Sequence, residues 1–199
     1  MNTVKKVAPL LVVGLIVLIV VGFALTSYNS LVANDEEVST SWGNLQSQYQ
    51  RRSDLIPNLV KVVKGYAKHE SKTLTDVVEA RAKATQVTID PDNITPEKLQ
   101  QLQAAQGQLS TALGRLMVVV EKYPQLQANE NFSELQTQLE GTENRINESR
   151  RLYNSAVQKY NLSVRRFPGN LVAGMFGFEK KSKFEADEKA QTAPTVNFD

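Results

Sequence analysis

The chain has 199 residues, a single histidine and no cysteine, with 23 lysines and arginines against 21 aspartates and glutamates. The absence of cysteine fits an oxidising compartment and excludes a lipoprotein attached through an N-terminal cysteine. Apart from two lysines that precede an N-terminal apolar run, the chain is formally neutral. It therefore lacks the concentrated basic excess that a nucleic-acid partner requires.

Residues 7–25 form an apolar run of nineteen residues that follows Lys5 and Lys6. In a helix this length matches the roughly 30 Å hydrocarbon core of a bilayer, which predicts a transmembrane helix over residues 7–26. A secretory signal peptide is the alternative, but its apolar region is usually about 7 to 15 residues long and ends in a small-x-small cleavage site. The nearest such site, residues 22–24, lies inside the run, so we expect a retained anchor.

The basic residues predict the orientation of this anchor. Lys5 and Lys6 precede it, whereas the first basic residue after it is Arg51. The positive-inside rule places residues 1–6 in the cytoplasm and the rest of the chain outside it. The expected location is a bacterial inner membrane, with one span and a periplasmic domain.

Apolar and aromatic residues recur after the anchor at alternating steps of three and four, which is the coiled-coil period of a helix facing a partner helix. This stripe contains Tyr28, Leu31, Asp35, Val38, Trp42, Leu45, Tyr49, Arg52, Ile56, Leu59, Val63 and Tyr66. It predicts one long helix continuing from the anchor, with a bend near Ser53 or Asp54 caused by Pro57. A turn within residues 65–71 and a shorter second helix follow.

Two further helices are predicted from caps and breakers. Thr95 before Pro96 has the pattern of an N-cap with proline at the first helical position, so a third helix begins there and continues until Pro124. A fourth helix opens within residues 129–131 and stops at Phe167, where Pro168 follows. The predicted fold class is all-α: the transmembrane helix continues into an antiparallel up-down-up-down four-helix bundle of long helices, residues 27–167.

Ordered strings within these helices resemble one protein family. They are RRSDLIPNLV at residues 51–60, LEGTENRI at residues 139–146, and the repeated Tyr-Asn at residues 153–154 and 160–161. Through them the chain is similar to LemA family proteins from the anchor nearly to the C-terminus, least clearly after Ala186. The resemblance implies a bacterial membrane protein with an antiparallel helical bundle, and it implies no reaction.

The sequence shows no convincing catalytic or metal site. His69-Glu70 lacks the second histidine that a zinc-binding helix carries four residues on, because Thr73 stands there. A Ser-His-Asp triad would need that same histidine. Carboxylate pairs such as Glu140 with Glu143 have the spacing of any solvated helix face. We therefore expect no enzymatic activity, no cofactor and no metal.

Polar residues within the stripes predict structural pairs. Asp35 and Arg52 stand among apolar neighbours, and a buried charge must be paired, so Arg52 is expected to reach a carboxylate on a facing helix. The alternative is that its long stem carries the charge to water. Tyr153 and Tyr160 lie one heptad apart. Core packing with a hydrogen-bonded hydroxyl is the expected role of both, and a ligand pocket is the alternative.

Residues 168–185 form an apolar and basic foot after the bundle. Its apolar part is too short to span a bilayer, and antiparallel order returns it to the membrane surface beside Tyr28. We expect burial against lipid, the membrane helix or another subunit for Leu171, Met175, Phe176 and Phe178, which follow the helix end at Phe167. Residues 186–199 are expected to form a mobile polar tail, with Val196 and Phe198 as candidates for docking.

These features predict a non-enzymatic scaffold or interaction module of the bacterial cell envelope. Its expected partners are the lipid bilayer, further copies of the same chain, and an envelope protein that the sequence does not identify. A ligand- or peptide-binding sensory module acting through a partner is the alternative. An envelope hydrolase is the remote alternative.

Overall fold

The computed structural model describes residues 2–91 and 93–185, with side chains from Val12 onward. Within these ranges the chain forms six helices: α1 Asn2–Tyr66, α2 Ser71–Gln86, α3 Pro96–Val120, α4 Pro124–Gln127, α5 Glu130–Arg165 and α6 Gly169–Phe176. The same ranges contain no β-strand. The all-α class is therefore confirmed, whereas the expectations for residues 186–199 lie outside the described residues.

Helix α1 runs without interruption for 65 residues and contains the predicted apolar segment. Its described part is long and apolar enough to cross a membrane, with a mean hydropathy of 2.2 over its most apolar window. The side chains of that window are exposed, as Leu18 shows at 71% and Ile19 at 63%. A continuous exposed apolar surface of this kind is typical of a segment that lies in lipid or against a partner.

The chain divides into two compact units. The first contains residues 1–41 and 155–181, and the second contains residues 42–154 and 182–199. Both α1 and α5 contribute one part to each unit. The predicted single domain over residues 27–167 stays a prediction.

The second unit has one continuous apolar core, to which five helices contribute. Its principal members are Ile56, Leu59, Val63, Leu74, Val77, Leu109, Leu116, Val120, Leu126, Phe132 and Leu139. Full burial of each large apolar side chain stabilises the fold by about 1.5–3 kcal/mol. The part of the predicted α1 stripe from Ile56 onward therefore contributes to this core, except that Tyr66 at the end of α1 is 43% exposed.

Two of these helices, α3 and α5, start at the predicted positions, and a side chain caps each of them. The Thr95 hydroxyl accepts a hydrogen bond of 3.3 Å from the Lys98 amide at the start of α3, with Pro96 at the first helical position. The Asn129 side chain likewise accepts from the Phe132 amide at 3.1 Å before α5. The short helix α4, which no sequence pattern predicted, lies between them and buries Leu126.

The first unit places α6 against α1. Leu31 of α1 is buried with Val172 and Ala173 of α6, and Phe178 packs on this small cluster. Glycine is required at residue 169, because a Cβ atom there would lie 2.8 Å from the carbonyl oxygen of Ser163 in α5.

One correction concerns the end of α5, which was predicted at Phe167. Helix α5 ends at Arg165, and Phe167 beyond it is 80% exposed, because the chain has already left the helical stripe. Helix α6 ends at Phe176, and Gly177 after it has a positive φ of 74°, which suits a residue without a side chain. The Phe178 amide donates to the Ala173 carbonyl.

Candidate interaction sites

A short extended strap, residues 182–185, lies against α5 in the second unit. Asn154 and Phe184 exchange two hydrogen bonds of 2.9 Å: the Asn154 amide donates to the Phe184 carbonyl, and the Phe184 amide donates to the Asn154 side-chain oxygen. The Tyr153 hydroxyl donates to the Ser182 carbonyl at 2.9 Å. Side chains of α5 thus bind the main chain of the strap in the way that a neighbouring β-strand would.

The Phe184 ring anchors the strap in an aromatic pocket. It stacks on Trp42 at a centroid distance of 6.1 Å and meets the edge of Tyr153 at 5.5 Å. The guanidinium of Arg150 lies 4.7 Å above the ring, a cation–π geometry. Trp42 is buried and its indole N–H donates to the Ile89 carbonyl at 3.3 Å. The pocket is therefore mainly aromatic, and the chain's own Phe184 fills it.

The second Tyr-Asn pair makes equivalent contacts within the first unit. Asn161 and Lys181 exchange two hydrogen bonds of 2.8 and 2.9 Å through the main chain of Lys181. The Lys181 ammonium lies 2.5 Å from Asp35 and 5.4 Å from the centre of the Tyr160 ring. Asp35, expected from the sequence to be paired, therefore pairs with a lysine beyond the last helix.

Sequence reasoning selected the two tyrosines of these pairs but missed the role of the asparagines. The hydroxyl of Tyr153 is hydrogen-bonded, as expected. Tyr160 is buried, with 2% of its surface exposed. The signal that was available is the asparagine that follows each tyrosine at the same spacing of seven, since an amide can donate to and accept from one peptide group at once.

Burial also fixes the protonation of these tyrosines. Desolvation, together with the nearby Asp35 and Glu179 carboxylates, raises the pKa of Tyr160 to about 12. Desolvation raises the pKa of Tyr153 as well, and that of Tyr49. All three phenols therefore stay neutral further into the alkaline range than an ordinary tyrosine, and Tyr153 remains a hydrogen-bond donor to the strap.

Helix α6 presents an apolar face on the first unit. Leu171, Met175 and Phe176 are 58%, 80% and 59% exposed, while their neighbours Val172 and Ala173 are buried. The Phe176 ring lies 4.8 Å from the ring of Tyr28 in α1. We call the first three residues the α6 face. All three side chains are exposed on this short helix and do not take part in the cluster around Leu31.

Arg52 is a buried cation held by three helices of the second unit. Its side chain is 3% exposed and lies 2.5 Å from Glu143 of α5, whose side chain is 45% exposed. It also donates to Gln106 and, at 3.1 Å, to Ser110, both in α3. The predicted pairing with a carboxylate on a facing helix is therefore observed, and the alternative of a charge reaching water is wrong. Residue Glu143 was weighed from the sequence only as a member of a carboxylate pair.

Pro57 interrupts the hydrogen bonding of α1 without ending the helix. Because proline has no N–H group, the Ser53 carbonyl four residues earlier loses its helical donor. Arg81 of α2 replaces it, with its Nε–H donating to the Ser53 oxygen at 2.8 Å. Sequence reasoning missed this use of Arg81, and the available signal was the position four residues before the proline, which needs a donor from elsewhere.

The described residues offer little to a metal ion or to acid–base chemistry. They contain no group of three or more histidine, cysteine, aspartate or glutamate side chains arranged to hold a metal. His69 is exposed in the turn between α1 and α2. Glu140 is exposed, and Glu143 is occupied by Arg52. The side-chain contacts described above join segments of the chain to one another.

Comparison with known proteins matches the sequence of this chain to one family. The sequence model of the LemA family matches residues 41–198. The chain is 30% identical to magnetosome protein MamQ 2 of Paramagnetospirillum magneticum, over 88% of this chain and 72% of that protein.

Two further relatives agree with this match. Magnetosome protein MamQ of Magnetospirillum gryphiswaldense is 27% identical, over 92% of this chain and 74% of its own length. Protein LemA of Metamycoplasma hominis is 24% identical, over 94% and 85%. The family match also includes most of residues 186–199, where the resemblance seen in the sequence was least clear. The chain belongs to the LemA family.

Proposed function

We propose that this protein is a single-pass membrane protein whose helices outside the cytoplasm form an antiparallel four-helix bundle, and that it acts as a non-enzymatic scaffold of the cell envelope. Membership of the LemA family and the exposed apolar part of α1 support association with a membrane. The exposed α6 face supports the scaffold role, because such a surface suits contact with lipid or with a partner.

The observation that carries this proposal is the position of the α6 face beside α1. Tyr28, which contacts Phe176, follows the end of the apolar run by only three residues. A bilayer that encloses the run would place its surface at this level, and the α6 face would enter the lipid interface. Exposed Arg165, Arg166 and Lys180 flank the face, where anionic headgroups would bind them.

A depth measurement in reconstituted full-length protein tests this placement. The chain has no cysteine, so Met175→Cys gives one site for an environment-sensitive fluorophore. In vesicles containing anionic lipid, we expect strong quenching by spin-labelled acyl chains. The matched control is Gln158→Cys on the exposed side of α5 in the same unit. Equal quenching at both sites, or none at Met175→Cys, would contradict the interfacial position.

The orientation is tested by thiol labelling in intact cells. Thr137→Cys lies on an exposed position of α5 in the second unit. If Lys5 and Lys6 are cytoplasmic, a membrane-impermeant thiol reagent that reaches the outer face of the inner membrane will label this residue before lysis. Labelling only after lysis would reverse the assignment.

We further propose that copies of the chain associate through the α6 face and the apolar helix. The α6 face is exposed beside the apolar helix, and such a surface supports contact with a second subunit as well as with lipid. Sedimentation in mild detergent should show an oligomer that Met175→Asp with Phe176→Asp dissociates. A monomer at all concentrations would exclude this assembly.

Peptide binding is a second candidate function, and the strap supports it. Asn154 and Tyr153 bind only main-chain atoms of residues 182–185, a mode that accepts any sequence with an aromatic anchor in place of Phe184. A labelled peptide with the sequence of residues 178–185 should bind the Phe184→Ala protein, in which the pocket is vacant. Asn154→Asp should weaken that binding, whereas Asn147→Asp, exposed one heptad earlier, should leave it unchanged.

A further inference from the structure

A cavity of about 190 Å³ lies in the second unit, where α1, α2, α3 and residues 87–89 meet. The buried side chains of Trp42 and Leu102 form part of its wall. Thr85 and Thr88 also line it and are exposed, so the cavity opens to solvent on that side. A cavity of about 150 Å³ lined by leucine, isoleucine and phenylalanine holds benzene. This cavity therefore has room for a molecule with one aromatic ring and a small substituent.

The lining of this cavity is uncharged. Among the described residues that line it there is no lysine, arginine, aspartate or glutamate. Arg52, which is adjacent in sequence to the lining residue Ser53, is bound by Gln106, Ser110 and Glu143. An ion that left water for this cavity would lose its hydration without gaining a counter-charge. The lining therefore favours an uncharged molecule.

Two polar side chains of the lining are available to hydrogen-bond such a molecule. The Ser53 hydroxyl is buried and has no hydrogen-bond partner among the described residues. The Gln106 oxygen accepts from Arg52, so the group that Gln106 offers is its NH₂ donor. Gln46, by contrast, already donates to the Ile89 carbonyl at 3.3 Å. Because the first two groups both donate, they suit an oxygen acceptor on the bound molecule.

We propose that this cavity binds a small uncharged molecule that has an apolar body, of the size of one aromatic ring, and a hydroxyl or carbonyl oxygen. The apolar body packs against Trp42 and Leu102, and the oxygen accepts from Ser53 or Gln106. The Phe184 ring also lies against Trp42, but it belongs to the separate aromatic pocket of the strap. Binding in the cavity requires neither membrane insertion nor a partner protein, so it is independent of the scaffold role.

A titration of the full-length protein in mild detergent tests this site, with Trp42 as the reporter. Trp42 is the only tryptophan of the chain, so its indole N–H gives a single indole signal in a nitrogen–proton correlation spectrum. Three probes share a benzene ring and differ in charge at neutral pH: benzyl alcohol is uncharged, benzoate is an anion and benzylamine is a cation. Free probe concentrations are measured by equilibrium dialysis, because benzyl alcohol also enters detergent.

The charge of the probe should decide its affinity. Benzyl alcohol should shift the Trp42 indole signal saturably, with a dissociation constant on the order of 1 mM. Benzoate and benzylamine should bind at least about tenfold more weakly, because each would bring an unpaired charge into the cavity. The absence of a saturable shift with benzyl alcohol would overturn the proposal, and so would equally tight binding of either ion.

A serine variant tests whether the probe lies in the cavity. Ser53→Ala removes a hydroxyl that has no partner among the described residues, so it should not lower the melting temperature. It should weaken benzyl alcohol binding about three- to tenfold, the loss of one hydrogen bond. The matched control is Ser47→Ala, at an exposed serine of the same helix, which should bind as the parent does. Equal affinities of the parent and Ser53→Ala would overturn the proposal.

A second variant separates the cavity from the strap pocket. Phe184→Ala removes the ring that fills the strap pocket, and the affinity for benzyl alcohol should stay within about twofold of the parent's because the cavity keeps its lining. A probe bound in the strap pocket would instead bind Phe184→Ala more tightly and would not respond to Ser53→Ala. That result would also overturn the proposal.

Discussion

The Nε atom of Arg81 lies 2.8 Å from the carbonyl oxygen of Ser53 and takes the place of the helical donor that Pro57 lacks. The contact joins α1 to α2 through a backbone atom of a residue that is 3% exposed. A proline that would otherwise weaken α1 is thus accommodated by a side chain from the neighbouring helix.

This relationship predicts a non-additive pair of mutations. Arg81→Met should lower the free energy of unfolding by about 1–3 kcal/mol, because it leaves a buried carbonyl without a donor. In a Pro57→Ala background the amide of residue 57 can donate to the Ser53 carbonyl. Arg81→Met should then lower the free energy of unfolding by at least about 1 kcal/mol less. Circular dichroism melts of the four proteins measure this coupling. Equal costs in both backgrounds would mean that Arg81 acts through some other contact.

The network around Arg52 predicts an asymmetric response. Glu143→Ala leaves a buried guanidinium without its counter-charge and should cost about 3 kcal/mol or more. Arg52→Met leaves Glu143 as a half-exposed carboxylate that water can solvate, and it leaves Gln106 without its partner. We therefore expect a smaller loss in the free energy of unfolding, about 1–3 kcal/mol. Adding Arg52→Met to Glu143→Ala should therefore restore stability in denaturant titration. A double mutant less stable than Glu143→Ala would refute this reasoning.

Replacing each of two glycines of α6 by alanine should change the stability of the protein in opposite directions. Gly169→Ala forces a Cβ atom against the Ser163 carbonyl, and this overpacking should cost about 1–3 kcal/mol. Gly174→Ala meets open space within the same helix and should stabilise it by about 0.5–1 kcal/mol through helix propensity. Hydrogen exchange of the Phe178 amide, which is bonded to Ala173, reports the docking of α6 in both proteins. The same sign for both changes would contradict the close approach at Gly169.

The raised pKa of Tyr160 predicts a loss of stability at alkaline pH. An ordinary tyrosine has a pKa near 10, so above this pH the unfolded chain releases a proton that the folded chain retains until about pH 12. The free energy of unfolding should fall across this window. Tyr160→Phe should make that fall shallower, as measured by chemical denaturation at intervals from pH 9 to 12. An unchanged slope would show that Tyr160 titrates alike in both states.

Much of the fold follows from local pattern. The spacing of Leu59, Leu109 and Leu116 with their neighbours predicts helices and their buried faces, since side chains three and four apart share a face. The caps at Thr95 and Asn129 follow from side chains that bond amides within the same turn. These features need only residues that are close in sequence.

The features that sequence reasoning missed depend on contacts between distant residues. Asn154 and Phe184 are 30 positions apart, and Arg81 is 28 positions from Ser53. The repeated Tyr-Asn pair draws attention to Asn154, but nothing local to it indicates which distant segment its side chain binds. Helix α6 was missed for another reason, because eight residues are too few to establish a helical period.

The three-way contact of Arg52 also limits how the second unit can move. A sliding motion by one helical turn, about 5.4 Å, would carry Gln106 and Ser110 of α3 away from the guanidinium. The guanidinium would then keep only its pairing with Glu143 of α5, so its two hydrogen bonds to α3 oppose shear between α1 and α3. A change of shape in this unit that keeps both hydrogen bonds would therefore have to leave α1 and α3 in their observed register.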